Sequence, residues 1–264
     1  MNKYEEFIND IINDYNRSIG HLNDVDGIDC NICHNKGFIL RNINGQTVTF
    51  ECSCQNKRKI VKQLKNAGIY DLIQKYTFEN YQQDFDWQKE IYQKAIDFVN
   101  KNTSRCFFIG GQTGAGKTHI CTAILCELIK KGYSAQYKIW GELQIKLKQT
   151  TYDNSNVYDN LIDELKKTQV LYIDDLFKFE PTKRDKEELF NILNARYNLA
   201  KNEEVNIITI ISSEQTLAEF ALIDEAIAGR IIEMCKNGYV INIKKDIKKN
   251  KRLKDLIKEK EENE

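Results

Sequence analysis

The chain has 264 residues, 30% of them charged, and its 39 basic residues are balanced by 39 acidic ones. That length suits one sizeable core plus a small appended module, or two modest domains. The balance excludes a global field that would draw in nucleic acid, so any such contact needs a local patch. The opening residues, MNKYEEFINDIINDYNRSIG, have no apolar core of signal-peptide length, and no apolar run reaches a bilayer span. A cytoplasmic chain with no membrane partner is expected.

In chain order, residues 1–20 place Tyr4, Phe7, Ile8, Ile11, Ile12, Tyr15 and Ile19 on one helical stripe, serving either its own domain or a partner. Residues 30–54, CNICHNKGFILRNINGQTVTFECSC, then hold four of the eight cysteines. Asn44–Gly45, flanked by FILRNI and TVTFE and preceded by Gly37, predicts a two-stranded ribbon that gathers Cys30, Cys33, Cys52 and Cys54. In a cytosolic setting clustered thiols bind metal more often than they pair. Four thiolates make a closed tetrahedral set for structural Zn²⁺, with no open position for water. His34 as a substitute ligand, and redox or unmetallated thiols, are the competing readings. Few large apolar residues lie between 20 and 57, so a zinc contribution of about 10–16 kcal/mol would decide whether this module folds.

Residues 58–75 read as a helix, basic at its start, connecting two modules. From Tyr76 onward strands alternate with helices, the mark of an α/β domain with a mainly parallel sheet. CFFIG (106–110) is a strand, and THICTAILCELIKKG (118–132) is a helix with Ile120, Ala123, Ile124, Leu128 and Ile129 inward and Gly132 as its stop. YSAQYKI, VLYID and VNIITII are further strands. Thr182 and Asp185 form a capping box for a helix reaching Asn198. Cys106, Cys121, Cys126 and Cys235 fall in elements expected to be buried and read as small core residues. The charged end is a helix or tail.

GQTGAGKT (111–118) matches G-x-x-x-x-G-K-[ST] between an apolar strand and an amphipathic helix. Gly111, Gly114 and Gly116 let the backbone N–H groups close around phosphate oxygens. Lys117 brings charge to the β and γ phosphates, and Thr118 offers a hydroxyl to Mg²⁺. With Gln112, Thr113, Ala115 and the adjoining His119 they make up the expected ATP-contacting set. VLYIDDL (170–176) ends a buried strand in Asp174, which would hold Mg²⁺ through water, and Asp175, which would orient or deprotonate the attacking water. IISSE places Ser212 and Ser213 to sense the γ-phosphate, and Arg230 lies on a later helix.

Taken in order, YTFENY (76–81), GQTGAGKTHICTAI, VLYIDDL, ELFNILNARY (188–197), IISSEQTLAEF (211–220) and AGRI resemble the DnaC/DnaI-like helicase loaders. These belong to the AAA+ ATPases, with the transposition helper IstB as a near relative, and the resemblance covers roughly residues 30–245. It implies an AAA+ P-loop domain over residues 71–248, behind a partner-binding zinc module (1–70) and ahead of a charged tail (249–264). It also implies an ATPase that self-associates, docks on a DnaB-like hexameric replicative helicase and places it on single-stranded DNA. Lys117, Asp174, Asp175 and Arg230 become the catalytic set, with Arg230 reaching a neighbouring subunit. Arg196 matches a recurrent arginine without an assigned role. Glu214 departs from the family's Thr-Ser-Asn ending, and its charge would repel phosphate. Only about 34 residues follow Arg230, too few for a full lid, which leaves Lys244, Lys245 and Lys248 as candidates for a second sensor. The cysteine module favours a loader over a transposition helper, and a nucleotide-dependent adaptor with little hydrolysis is the third reading.

Overall fold

The computed structural model describes residues 3–73, 75–101, 104–153, 155–201 and 206–253. Val205, the Tyr4 side chain and residues 254–264 of the expected tail lie outside the described residues. The chain divides into two compact units, Met1–Lys65 and Asn66–Glu264.

In the first unit, helix α1 (Lys3–Arg17) packs on a hairpin of β1 (Phe38–Ile43) and β2 (Gln46–Glu51). The apolar stripe divides here: Ile8 and Ile12 are buried, whereas Phe7 and Ile11 are 62% and 45% exposed and Ile19 is also exposed. Asn16 fixes the helix to the ribbon by exchanging two hydrogen bonds with the Leu40 main chain, at 2.9 and 3.0 Å. Ile43 pairs with Gln46 across the expected Asn44–Gly45 turn, whose φ angles of 53° and 80° are the left-handed pair that a two-residue hairpin needs. The short α2 (Leu22–Asp26) precedes the cysteines. Helix α3 (Cys54–Ala67) begins at a cysteine, four residues earlier than the sequence pattern predicts.

In the second unit, α4 (Asp86–Lys101) leads into β3 (Cys106–Gly111), α5 (Lys117–Lys130) and β4 (Ala135–Ile139). Helices α6 (Trp140–Asp153) and α7 (Ser155–Lys167), then β5 (Val170–Asp174) and α8 (Lys183–Ala200), follow. β6 (Ile208–Ser213), α9 (Leu217–Ile223), α10 (Glu225–Met234) and β7 (Val240–Ile243) complete it. The sheet is parallel throughout, in the order β4-β5-β6-β3-β7. Strands β3, β5 and β6 are buried along their whole length, as expected when helices cover both faces. Cys106, Cys121, Cys126 and Cys235 are all buried in this unit. The Thr182–Asp185 capping box is present at the start of α8. Because β6 inserts between β3 and β5, the carboxyl ends of these three strands open onto one crevice, where parallel α/β sheets bind ligands. Among the described residues, no helix is long and apolar enough to cross a membrane.

Candidate functional site

The loop after β3 turns back into α5 over Gly111–Thr118. Gly111 (φ +108°) and Gly114 (φ +72°) sit where side chains are rarely tolerated, and a Cβ at either would come within 2.0 Å of Ile243 O or Asn250 Oδ1 respectively. α5 starts at Lys117, so its N-terminal N–H groups face the loop. The Lys117 ammonium, 7% exposed, donates to Gly111 O at 2.9 Å and Gln112 O at 2.7 Å. Burial lowers its pKa, while Glu214, Asp175 and Asp174 oppose that shift.

Across the crevice, Asp174 ends β5 and is buried. Its Oδ1 accepts from Thr118 Oγ1 at 3.2 Å, from the Asp175 N–H at 3.1 Å and from the Ser212 hydroxyl. Its Oδ2 accepts from the Tyr137 phenol at 2.9 Å. Asp175 leaves the strand with φ +52° and pairs with Lys178 at 2.9 Å. Lys178 also lies 3.9 Å from Glu214, so the acidic side chain flagged as repulsive has a cation beside it.

Asp175, Lys178 and Glu214 line a cleft of about 330 Å³ together with Thr113, Gly114, Gly116, Lys117, Thr118 and His119, and with Tyr76, Asn80 and Gln82 from the segment before α4. The His119 imidazole turns toward that segment: Nε2 is 2.8 Å from Thr77 O, and the ring lies between Tyr76 and Tyr81. Burial, aided by Lys251 and opposed by the Thr77 bond, lowers its pKa.

Several expectations change. Ser212, and not Ser213, reaches the carboxylate: the Ser213 hydroxyl donates to Leu176 O at 2.6 Å and accepts from the Gln215 N–H, bracing the turn beyond Asp175. Lys244, Lys245 and Lys248 do not line the cleft, and Lys245 pairs with Glu219 at 2.6 Å. Instead the chain after β7 crosses the loop. The Asp246 N–H donates to Gln112 Oε1 at 2.7 Å and the Lys251 N–H to Gly114 O at 3.0 Å. Lys251 and Arg252 thereby line the cleft. Their position, in a stretch read from sequence as the beginning of a tail, had no local signal.

Arg230 does not line this cleft. It lies on α10, ion-paired with Glu233 and 4.1 Å over the Tyr197 ring. Arg196 has a structural assignment. Fully buried, it donates to Thr209 Oγ1 (2.9 Å), Leu165 O (2.9 Å), Thr168 O (2.8 Å) and Ile208 O (2.6 Å). It closes the carboxyl end of α7 against β6, where helix carbonyls lack partners. Burial pushes its pKa down to about 9, which leaves it charged at neutral pH.

In the first unit the four sulfurs of Cys30, Cys33, Cys52 and Cys54 lie within 4.8 Å of one another. Cys30 Sγ is 3.6 Å from Cys52 Sγ, and Cys33 Sγ is 3.6 Å from Cys54 Sγ. These separations are far beyond a disulfide bond of about 2.05 Å. The Gly37 N–H donates to Cys33 Sγ at 3.2 Å. Main-chain N–H groups hold the Cys30 thiol down to about 6, whereas burial pushes Cys54 up to about 12. Arg58, buried on α3, forks onto Asp26 and donates to Ile28 O at 2.8 Å, tying the helix to the segment that carries Cys30. His34 is exposed and stands apart from the cluster.

The residues fit the groups they imply. The loop is an anion cradle at a helix N-terminus, and Thr118 beside Asp174 offers the hard oxygens that Mg²⁺ prefers. Four converging thiols match the soft, closed donor set of structural Zn²⁺.

A family model described as "IstB-like ATP binding protein" matches residues 40–255. The chain belongs to the IstB-like ATP-binding family. Its matched part begins after Cys30 and Cys33. Within this family the chain resembles the DnaC-type loaders. It is 33% identical to the uncharacterized protein YqaM of Bacillus subtilis, covering 79% of this chain and 68% of that one. It is 26% identical to the replicative helicase loader DnaC of Escherichia coli K12, covering 52% and 57%. The crystal structure of the DnaC helicase loader superposes with a TM-score of 0.54 at 21% identity, over 65% of this chain and 97% of that one. AMPPCP-bound DnaA from Aquifex aeolicus gives 0.54 at 21% identity, over 70% of this chain and about half, 55%, of that one. The fold of the second unit is that of the AAA+ P-loop ATPases.

Proposed function

We propose that this IstB-like protein is an ATP-driven loader that places a hexameric, DnaB-like replicative helicase on single-stranded DNA. The observation that carries the reading is the division of the ATPase machinery. Lys117, Thr118 and Asp175 line one cleft, and Thr118 is hydrogen-bonded to Asp174, which in turn accepts from Ser212. Arg230 has neither a place in that cleft nor a bond to this set, its ion pair being with Glu233 on its own helix. An arginine so placed supports action on a neighbouring subunit, and hence self-assembly.

When bound, Mg²⁺ would supply charge neutralisation at the phosphates and Zn²⁺ would supply a structural cross-link in the first unit. The chain's own residues do the rest. The loop N–H groups and Lys117 bind and orient the polyphosphate. Thr118 and Asp174 would hold the metal, and Ser212 keeps the Asp174 carboxylate in place. Asp175, once released from Lys178, orients a water for attack. The exposed Phe7, Ile11 and Ile19 give the zinc unit an apolar face for the helicase.

The test is Lys117→Ala. It retains helicase binding through the first unit and loses ATP-dependent delivery to DNA, and loss of helicase binding in the folded variant would count against the division of labour. The family description favours a second reading, a transposition helper that hands target DNA to a transposase. Co-purification of a transposase in place of a helicase would select it. The Asp175–Lys178 ion pair favours a third, an adaptor with negligible hydrolysis. Wild-type turnover with DNA and partner no higher than that of Asp175→Ala would select that one.

A further inference from the structure

The two oxygens of Asp174 are held differently. Oδ1 is shared by Thr118, the Asp175 N–H and Ser212. Oδ2 accepts from the Tyr137 phenol at 2.9 Å. Tyr137 belongs to the edge strand β4, two residues before Ile139, which is the register partner of Asp174. Strand periodicity therefore puts Tyr137 and Asp174 on the same face of the sheet. The Tyr137 ring packs 5.2 Å from the buried Tyr172 ring, whose hydroxyl donates to Ser212 Oγ at 3.3 Å. Tyr172, Ser212, Asp174 and Tyr137 thus form one hydrogen-bonded chain across β4, β5 and β6.

A strand-end carboxylate is free to rotate about its last torsion unless both oxygens are held. Thr118 would itself turn to a bound ion, so its bond to Oδ1 would not hold the carboxylate in the loaded site. Ser212 and Tyr137 are not metal ligands and remain, one on each oxygen. We propose that Tyr137 is a positioning residue that fixes the rotation of Asp174 toward Mg²⁺. Partners that orient a ligating carboxylate contribute to metal affinity without touching the metal. This inference rests on the Mg²⁺–nucleotide reading of the crevice.

Tyr137→Phe in the full chain removes the hydroxyl and keeps the ring and its packing. The readout is binding of a fluorescent ATP analogue, titrated with Mg²⁺ and measured separately in EDTA. The expected result is a rise of about ten-fold or more in the Mg²⁺ concentration that gives half-maximal tight binding, with binding in EDTA and the melting temperature unchanged. In an Asp174→Asn background the same substitution should have no further effect on the Mg²⁺ midpoint. A Tyr137→Phe titration that superposes on wild type overturns the proposal, as does an equal loss in EDTA, which would place the effect in the fold. Wild-type protein with no Mg²⁺-dependent nucleotide binding would instead defeat the nucleotide reading itself and take this inference with it.

Discussion

Removing metal from the cysteine cluster should unfold the first unit and spare the second. In a regular tetrahedron the edge is about 1.63 times the centre-to-vertex distance. Zinc–thiolate bonds of about 2.3 Å thus need edges of about 3.8 Å, and the four sulfurs, two pairs 3.6 Å apart and all within 4.8 Å of one another, bracket that value. Structural zinc contributes about 10–16 kcal/mol, as large as the net stability of a whole domain, about 5–15 kcal/mol. Loss of the metal thus exceeds anything that buried Ile8, Ile12 and Ile28 can restore. Elemental analysis should find about one zinc per chain. Hydrogen exchange read by mass spectrometry should then lose protection over β1 and β2 after chelation, or in Cys33→Ser, while β3, β5 and β6 stay protected. A ribbon that keeps its protection without metal, or cysteines recovered as disulfides, would refute the argument.

Three further outcomes are expected. Arg196→Met leaves buried acceptors at Thr209, Leu165, Thr168 and Ile208 without a donor. It should destabilise the second unit by about 3–5 kcal/mol, seen as a melting temperature lower by on the order of 10 °C, and an unchanged melt would contradict the buried-clamp role. Lys251→Ala and Arg252→Ala should each weaken ATP binding in a fluorescence titration by about ten-fold or more, the worth of one charge-assisted contact. Lys248→Ala, off the cleft, should not, and three equal titrations would remove the C-terminal cations from the site. Burial raises the Asp185 pKa, but the Thr182 bonds and Lys148 outweigh it, and Lys245 and Thr216 lower that of Glu219. Both carboxyls are depressed on folding, so their contribution is full above the ordinary carboxylate range and fades as pH falls below about 4. Thermal melts across that window should show a shallower acid loss for Asp185→Asn than for wild type, and parallel curves would contradict the capping argument.

What the sequence reveals here is what its neighbours in the chain determine. The phosphate loop, the Asn44–Gly45 turn and the Thr182–Asp185 cap each need only a few consecutive residues, and each forms as their chemistry dictates. The four thiols are legible because the ribbon between them is short. Assigning Ser212 or Ser213 is different: β6 is buried on both faces, so no alternation marks which hydroxyl faces Asp174. Tyr137 meets Asp174 only through the β4–β5 register, and Lys251 meets Gly114 only because β7 pairs with β3 at the sheet edge. Neither contact has a sequence motif. Arg196 did leave a trace: Leu189, Ile192, Leu193 and Arg196 follow helical spacing, which puts the arginine on the buried stripe of α8. Helices α4 and α7 do carry helical spacing, Ile91, Ala95, Phe98 and Val99 in one and Leu161, Ile162 and Leu165 in the other, but no motif or chemistry marks them.

The central claim, ATP-dependent helicase delivery, is tested most directly by reconstituted loading. The measurement is the amount of the host's hexameric replicative helicase transferred onto circular single-stranded DNA, with ATP, by wild-type protein or Lys117→Ala. Transfer that requires this protein and ATP, and that is lost in Lys117→Ala although the variant still binds the helicase, is the predicted result. Helicase transfer that is indifferent to this protein, or equal for both forms, would contradict the account.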